Sequence, residues 1–385
     1  MGDVVQAAVM VQPGKIEIQE FPFAELEDGG VLLKVEMCGI CGTDKHTWRG
    51  ETKQYAGTDA ESDTPFPIIP GHEVVGIVAE INDSKSPRLD FNGERLRVGD
   101  RVALCPDVIC GKCYDCRHTF AFPWCENLQG YGNAFTAADP PHLFGGWAEY
   151  MYILPNAFLY KVPEELPLRV AVMVELMAVS YNLDKTKEFF TLTGEGFATG
   201  STVVIQGVGP MGICHVIKAR MMGAGQIIAT DGADFRLDLA REFGVDHTLN
   251  VTETTQDERI EFVRSLTHGR GADIVVECAG IAEVVPEGLE MLRKGGVYIE
   301  AGNFVETGEV SLSPHRHFCS KNIRLIGMTN HPFTGYTPSM ELMQRNTNRF
   351  PFEKFVTHEY PLAQTEMGML KSMQPEQCMK VVVAP

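Results

Sequence analysis

The sequence lacks the two features that would place it in or across a membrane. None of its apolar stretches reaches the roughly 20 residues that a membrane-spanning helix needs. The N-terminus has no basic segment followed by an apolar run, which is the mark of a secreted chain. We therefore expect a cytoplasmic protein with no membrane partner.

Basic residues are also scarce. Lysine and arginine number 33 against 51 aspartate and glutamate residues, which gives a formal net charge of −18. Because a phosphate backbone would be repelled, this balance argues against a nucleic-acid partner, and beyond that it indicates only solubility. At 385 residues the chain is too long for one ordinary core, so we expect two domains.

Cysteine, by contrast, is present in eleven copies. Without a secretion signal a disulfide framework is not expected, so clustered thiols indicate metal binding or chemistry. Four cysteines fall within sixteen residues: Cys110, Cys113, Cys116 and Cys125. Another pair, Cys38 and Cys41, lies near the N-terminus. The remaining five we interpret as small core residues: Cys105, Cys214, Cys278, Cys319 and Cys378.

The residue pattern predicts two different kinds of structure along the chain. The first third is β-rich, with short β-branched runs at Val31–Val35 and Val74–Val78 separated by Gly, Pro and Asp. After residue 200, strand-like and helix-like segments alternate: 201–206, 210–223, 226–230, 235–243, 273–278, 282–293 and 296–300. This alternation predicts a doubly wound parallel sheet, an α/β fold. The last sixty residues resemble the first third again.

A glycine-rich turn stands inside this alternation. Gly207-Val208-Gly209-Pro210-Met211-Gly212 follows a predicted strand and opens a predicted helix, the context in which G-x-G-x-x-G binds a dinucleotide. The glycines allow a tight turn, close approach to the pyrophosphate and helix–strand packing. The helix N-terminus then offers free N–H groups to the phosphates. The alternative is a glycine-rich turn in an unrelated α/β domain.

The residue at the end of the next predicted strand indicates which dinucleotide binds. Asp231 can accept hydrogen bonds from the ribose hydroxyls and would repel a 2′-phosphate, which favours NAD over NADP. Arg236 lies close enough in sequence to contact a phosphate, so it weakens the exclusion of NADP.

Two groups of residues have the chemistry of zinc ligands. The spacing C-x2-C-x2-C-x8-C of Cys110, Cys113, Cys116 and Cys125 predicts a closed, structural four-thiolate site, with an iron–sulfur cluster as the alternative. A second group combines Cys41, His72 and Glu175. The last is a carboxylate within an apolar run, which must be paired, protonated or bound to metal. Three ligands and an open position are typical of a catalytic zinc.

With these residues in place, the chain resembles the zinc-containing medium-chain alcohol and polyol dehydrogenases over nearly its full length. The motifs occur in the family's order: Cys41–His46, Gly71–Glu73, the cysteine quartet, Gly145–Tyr150 and the nucleotide-binding turn. The resemblance implies a GroES-like catalytic domain (1–180, with 325–385 returning to it) and a Rossmann domain (181–324). The active site would lie between them, and a homodimer or homotetramer is expected.

The resemblance also implies a role for each site residue. Cys41, His72 and Glu175 would hold the catalytic zinc, and the cysteine quartet the structural one. The remaining positions match two proton-relay residues (Thr43, His46), an acid that orients the zinc-bound histidine (Asp44) and an acid that sometimes approaches the metal (Glu73). Zinc would acidify the alcohol and NAD would accept the hydride.

Departures from the family pattern bear on the substrate. With glutamate as the third zinc ligand, the chain is similar to the sorbitol and butanediol branches of the family. This similarity favours a secondary alcohol or a polyol as substrate. The segment Thr47–Pro70 is longer than usual and carries Trp48, Tyr55 and Phe66, which favour a bulkier cyclic alcohol unless they only pack in the core. A further insertion lies around 185–200. Zinc-free quinone or enone reductases and a non-enzymatic NAD-binding protein are the rival interpretations.

Overall fold

The computed structural model describes residues 4–54, 56–57, 61–118, 124–187 and 194–385. Two β-sheets organise this part of the chain: a mixed sheet built from both ends of the sequence, and a parallel sheet between residues 202 and 327. Among the helices of these ranges, none is long and apolar enough to cross a membrane.

Strands dominate the described residues before position 168. They are β1 (Val4–Gln12), β2 (Lys15–Pro22), β3 (Val31–Gly39), β4 (Lys53–Gln54), β5 (Ser62–Asp63), β6 (Glu73–Ile81), β7 (Arg101–Leu104), β8 (Asp107–Val108), β9 (Gln129–Gly130), β10 (Tyr150–Ile153) and β11 (Leu159–Lys161). The helices are short: α1 (Gly42–Trp48), α2 (Tyr114–His118), α3 (Leu168–Ala171) and α4 (Val174–Ser180). Both β-branched runs of the sequence lie in strands, β3 and β6, and are almost wholly buried.

Residues 202–327 alternate between strands and helices. The strands are β12 (Thr202–Gln206), β13 (Gln226–Asp231), β14 (His247–Asn250), β15 (Ala272–Glu277), β16 (Leu292–Glu300) and β17 (Arg324–Gly327). The helices are α5 (Pro210–Met222), α6 (Asp234–Glu242), α7 (Gln256–Leu266) and α8 (Val284–Met291). All neighbouring strands are parallel, in the order β14-β13-β12-β15-β16-β17. This is the dinucleotide-binding strand order, so the predicted Rossmann sheet is confirmed.

Helix α5 shows how the sequence sets the bounds of an element. Gly209 caps its N-terminus with extended backbone, and Pro210 occupies the first turn, where its missing N–H costs nothing. The helix ends where Gly223 takes a left-handed φ of 97°, which glycine adopts without strain. Its N-terminus therefore lies directly after the glycine-rich turn.

The C-terminal part returns to the first sheet. Its elements are α9 (Tyr336–Arg345), β18 (Val356–Pro361), α10 (Thr365–Ser372) and β19 (Lys380–Ala384), with short 3-10 turns at Phe333–Gly335, Phe352–Lys354 and Leu362–Gln364. A further 3-10 turn, Tyr181–Lys187, directly follows α4. Strand β19 pairs with β3, which completes the order β11-β7-β6-β3-β19-β18. The domain boundaries themselves stay a prediction, and β17 extends across the expected boundary at 324/325.

One part of the cysteine interpretation is wrong. Of the five cysteines assigned to the core, Cys105, Cys214 and Cys378 are buried. Cys319 is exposed, because it ends a short π-helical turn, Pro314–Cys319, on the surface of the protein.

Candidate active site

The N-terminus of α1 carries the first predicted metal ligand. Cys41 is the cap residue of this helix, and its backbone N–H donates to the carboxylate of Asp44 at 2.7 Å. The other oxygen of Asp44 accepts a longer bond, 3.4 Å, from the N–H of Gly71. Burial raises the pKa of Asp44, and His72 opposes that shift. Asp44 thus ties the loop before His72 to the helix that follows Cys41.

His72 and Glu73 lie at the start of β6, opposite Cys41. One donor atom from each of Cys41, His72 and Glu73 lies within 4.8 Å of the others. Burial lowers the pKa of His72, but Cys41 and Asp44 outweigh it and raise that pKa well above its ordinary value. The Nδ1 atom of His72 has no hydrogen-bond partner among the described residues. The imidazole faces a thiol and several carboxylates, as a ligand of a cation would.

The carboxylate of Glu73 has a partner of its own. Lys380, on β19, is 2% exposed by its side chain and forms an ion pair with the fully buried Glu73. The ammonium group also donates to the carbonyl of Ile40 at 3.0 Å. Although burial lowers it, Glu73 raises the pKa of Lys380 above the usual value. The charge of Glu73 is therefore balanced within the protein.

Glu175, on α4, lines the same cavity as Cys41 and His72. Its Oε1 lies 3.2 Å from Nδ1 of His331, while its buried Oε2 has no partner among the described residues. Burial raises the pKa of Glu175, but His331 and His72 lower it further, so the net shift is downward. An ionised carboxylate with one unpaired oxygen, in the same cavity as a thiol and an imidazole, has the chemistry of a zinc ligand.

The predicted relay residues follow Cys41 on α1. Thr43 Oγ1 lies 3.9 Å from the Cys41 sulfur, and both residues line the cavity. His46 lies between this cavity and the adjoining cofactor cleft, where the ring of Phe304 meets it edge-on at 5.4 Å. Its Nδ1 pairs with Glu51, a carboxylate whose side chain is 44% exposed. Thr43 and His46 thus lie on one helix, which begins next to Cys41.

The cavity wall contains both polar and apolar residues. Five polar atoms of its lining residues have no hydrogen-bond partner among the described residues: His72 Nδ1, Asp107 Oδ2, Asn133 Oδ1, Glu175 Oε2 and Asn330 Nδ2. Its apolar residues include Leu176, Val179, Phe304, Val305 and Met328. Of the aromatic residues in the long segment, Trp48 and Phe66 pack against the core instead. Tyr55 lies outside the described residues.

The glycine-rich turn borders a second cleft beside the first. A Cβ on Gly207 would lie 2.8 Å from the backbone of Ala279, and one on Gly212 would lie 2.0 Å from the carbonyl oxygen of Gly207. Glycine is therefore required at both positions. The cleft is also lined by Gly209, Pro210 and Met211. It opens at the N-terminus of α5, where free N–H groups can receive phosphate oxygens.

Asp231 and Arg236 lie in this cleft at different places. Asp231 ends β13, and its carboxylate accepts the N–H groups of Val208 at 2.9 Å and Ala233 at 3.0 Å. The Arg236 guanidinium lies beside Gly209, 3.3 Å from where a Cβ there would stand. Asp231 thus lies at the carboxyl end of β13, and Arg236 lies next to the glycine-rich turn.

The cysteine quartet forms a compact cluster near the surface. The sulfur atoms of Cys110, Cys113, Cys116 and Cys125 all lie within 4.8 Å of one another. Backbone N–H groups, led by that of Lys112, lower the pKa of Cys110 to about 6, whereas burial raises that of Cys116 to about 12. Four sulfur donors at this separation fit a tetrahedral zinc with no open position.

Three residues of the site were not found from the sequence. Glu51 follows His46 by five positions, and this spacing of a histidine and a glutamate near the end of a short helix could have indicated that the two side chains pair. His331 and Lys380 come from the last quarter of the chain, and only the tertiary structure brings them to Glu175 and Glu73.

Two family profiles match the chain. The profile described as alcohol dehydrogenase GroES-like domain matches residues 27–164. The profile described as zinc-binding dehydrogenase matches residues 210–345.

Individual proteins are similar to this chain along almost its whole length. The 5-exo-hydroxycamphor dehydrogenase of Pseudomonas putida is 31% identical over 365 residues, covering 94% of each chain. The sorbitol dehydrogenase of Bacillus subtilis (strain 168) is 29% identical over 384 residues, covering 99% of this chain and 97% of the relative. A solved alcohol dehydrogenase from Thermotoga maritima superposes with a TM-score of 0.88 at 31% identity, and each chain covers 100% of the other.

The parallel sheet with its dinucleotide turn, the adjacent Cys–His–carboxylate cavity and the four-thiolate cluster define a zinc-dependent oxidoreductase that acts on CH–OH groups. The comparisons then identify the family. The chain belongs to the zinc-binding medium-chain alcohol and polyol dehydrogenases, whose cofactors are zinc and a nicotinamide dinucleotide.

Proposed function

We propose that this enzyme oxidises a polyol at a secondary hydroxyl group and reduces NAD. The observation that carries the proposal is a pair of amide atoms on cavity-lining residues, Asn133 Oδ1 and Asn330 Nδ2, which are not metal donors in this proposal and have no hydrogen-bond partner among the described residues. Buried polar groups normally have partners, and leaving one unpaired costs about 1–3 kcal/mol. A substrate with several hydroxyl groups would satisfy these atoms together, whereas a hydrocarbon skeleton would not.

Cys41, His72 and Glu175 are the proposed ligands of the catalytic zinc, and the cysteine quartet is the proposed structural site. Bound zinc supplies a Lewis acid that acidifies an alcohol. Glu73 has a donor atom within 4.8 Å of Cys41 and His72, but Lys380 already balances its charge, and this ion pair favours Glu175 over Glu73 as third ligand. Zinc content of Glu175→Gln against Glu73→Gln distinguishes the two carboxylates. Asp44 holds the loop that carries His72 in place.

The proton of the alcohol leaves through the residues of α1. Thr43 Oγ1 accepts it beside Cys41, and His46 carries it outward as a base at the boundary of the two cavities. Nδ1 of His46 pairs with the carboxylate of Glu51, which is partly exposed to solvent. Glu51 thus extends the predicted relay by one residue.

NAD is the proposed dinucleotide. Its nicotinamide ring accepts hydride, which is the chemistry it supplies when bound. The glycines at 207, 209 and 212, with Pro210 and Met211, leave room for the pyrophosphate at the start of α5. The carboxylate of Asp231 would receive the ribose hydroxyls. Arg236 lies beside Gly209, where its guanidinium suits the pyrophosphate. Its presence is therefore no longer an argument for NADP.

We also propose a cytoplasmic homodimer or homotetramer with domain boundaries near 180 and 324. The parallel sheet ends in β17, an edge strand whose Leu325 is 48% exposed. An exposed apolar edge strand offers a surface on which a second copy can pair. Light scattering with the purified protein measures the number of copies.

The test of the substrate proposal is a screen of NAD reduction with matched alcohols. We expect higher kcat/KM with linear polyols and vicinal diols than with mono-alcohols of the same length, because the extra hydroxyl groups reach the unpaired atoms. Asn133→Ala should reduce this preference while leaving the mono-alcohols unaffected. Equal rates for diols and the matching mono-alcohols would contradict the proposal.

A bulky cyclic alcohol is the second candidate. It is favoured by the apolar residues of the cavity wall and by similarity to 5-exo-hydroxycamphor dehydrogenase. The same screen separates the candidates, because a bicyclic mono-alcohol should then outperform every polyol.

A further inference from the structure

A second group of potential metal donors lies beside Glu175, outside the ligand sets described above. One donor atom from each of Cys105, Asp107 and His331 lies within 4.8 Å of the other two. Cys105 and His331 are buried, and the side chain of Asp107 is 12% exposed. These residues come from the end of β7, the start of β8 and the segment that follows β17, so the fold assembles the group from distant parts of the chain.

The distances within this group are those of a metal coordination sphere. The Cys105 sulfur lies 3.4 Å from Nε2 of His331, and Nε2 lies 3.7 Å from Oδ2 of Asp107. In a tetrahedral zinc site, bond lengths of about 2.3 Å to sulfur and about 2.0–2.1 Å to nitrogen and oxygen give S–N edges of about 3.6 Å and N–O edges of about 3.4 Å. The observed separations lie within about 0.3 Å of these two edges.

The imidazole is also oriented as a zinc ligand would be. Nδ1 of His331 can donate to Oε1 of Glu175 at 3.2 Å, which leaves the lone pair of Nε2 directed at Cys105 and Asp107. A carboxylate behind the histidine is the usual support of a zinc-bound imidazole. The Tyr336 hydroxyl lies 2.9 Å from the same Nε2 and offers a neutral oxygen for a fourth position.

One carboxylate oxygen of this group lacks a hydrogen-bond partner. Oδ2 of Asp107 has no hydrogen-bond partner among the described residues, and at 3.7 Å it is too far from Nε2 for one. Two carboxylates, Asp107 and Glu175, and the thiol of Cys105 all face His331. A divalent cation would balance this excess of acidic groups.

We propose that Cys105, Asp107 and His331 bind an additional zinc ion, supported by Glu175. The proton held by the thiol passes to solvent as the ion binds. The ion would join the segment after β17 to strands β7 and β8, next to the substrate cavity that Asp107 and His331 line. This site goes beyond the proposed function, and it does not depend on which alcohol is oxidised.

Metal counting on the full-length protein tests the proposal. The protein is loaded with Zn2+, dialysed against metal-free buffer and analysed by mass spectrometry of the metal. We expect about three zinc ions per chain in the wild type and about two in Cys105→Ser and in Asp107→Asn. Cys214→Ser, which alters a buried cysteine on α5, is the matched control and should keep all three.

The outcomes separate this site from the other two. Loss of one ion in both Cys105→Ser and Asp107→Asn supports it, and an unchanged count in both variants, with native circular dichroism, overturns it. If Cys105→Ser does not fold, loss or retention of the ion in the near-isosteric Asp107→Asn decides. Cys41→Ser and Cys113→Ser report on the other two sites, and activity measured with polyols tests the proposed function independently.

Discussion

The catalytic donors and the cysteine quartet differ in what surrounds them. His72 and Glu175 are each 7% exposed, and Glu175 keeps an unpaired oxygen on a cavity wall. In the quartet, by contrast, backbone N–H groups lower the pKa of the Cys110 and Cys113 thiols. The quartet has four identical donors and needs no further ligand, whereas the catalytic group mixes sulfur, nitrogen and oxygen beside open space. The same metal can therefore serve structure in one place and chemistry in the other.

Cys41→Ser should have the largest effect on turnover. Loss of the thiolate removes the catalytic zinc, and a Lewis-acid contribution of several kcal/mol corresponds to about a thousandfold or more in kcat/KM. Zinc analysis should show one ion fewer, and the thermal unfolding temperature should stay within a few degrees of the wild type. A variant with full activity and a full zinc count would contradict the assignment of Cys41 as a ligand of the catalytic zinc.

Thr43→Ala should follow, with kcat/KM lower by about a hundredfold or more, which is the usual contribution of proton transfer by a positioned group. Both the quartet zinc and the catalytic zinc should stay bound, because Thr43 is 3.9 Å from the Cys41 sulfur and is not itself a predicted ligand. Thr43→Ser keeps the hydroxyl group and should recover most of the activity. If Thr43→Ala turns over like the wild type across the pH range, the relay is assigned to the wrong residues.

Cys113→Ser tests the other half of the comparison. We expect one zinc ion fewer, a thermal unfolding temperature lower by several degrees and weaker assembly, because the closed site braces a surface loop. The catalytic zinc should still bind, so the molecules that remain folded should keep near-normal kcat. Scanning calorimetry and activity at low temperature measure the two effects separately. Equal loss of kcat and stability would mean that the quartet is coupled to the chemistry.

The two groups also differ in how far the sequence predicts them. The quartet lies within sixteen residues, and the dinucleotide turn within six, so local spacing alone identifies both. Local propensity likewise predicted most strands and helices of the Rossmann domain, but not β14, whose residues are half-exposed and partly polar, nor α7 and β17. Cys41, His72 and Glu175 required a family pattern in addition, because no spacing links them.

What the sequence does not predict is contact between distant segments. Cys105 was interpreted as a core residue, and His331 was not selected at all, since 226 positions separate them. Lys380 likewise reaches Glu73 only because β19 pairs with β3. For the same reason Trp48 and Phe66, expected near the substrate, pack in the core, where the fold of their segment directs them.

Asp231→Ala should affect cofactor use and leave both zinc groups unchanged. Loss of charged hydrogen bonds worth about 1.5–3 kcal/mol each predicts a KM for NAD at least about tenfold higher, with weaker discrimination against NADP. Because Asp231 also holds the N–H of Val208, Asp231→Asn is the matched control that keeps one acceptor and removes the charge. Steady-state kinetics with both dinucleotides measure the change. A wild-type enzyme that uses NADP as well as NAD would contradict the role given to Asp231.

His46→Gln should have the smallest effect and is the most specific test of the proton path. The ring lies at the outer end of the path and pairs with the partly exposed Glu51, so solvent can replace it in part. We expect kcat/KM to fall by less than about tenfold, most strongly near and below neutral pH, where hydroxide is scarce and the proton needs a base. Added imidazole should restore part of the loss, whereas it should not rescue Thr43→Ala, because that change breaks the path at its inner end. Zinc content should match the wild type, with the cysteine quartet as internal reference. A pH–rate profile parallel to that of the wild type, with no response to imidazole, would remove His46 from the path and leave Thr43 to pass the proton directly to solvent.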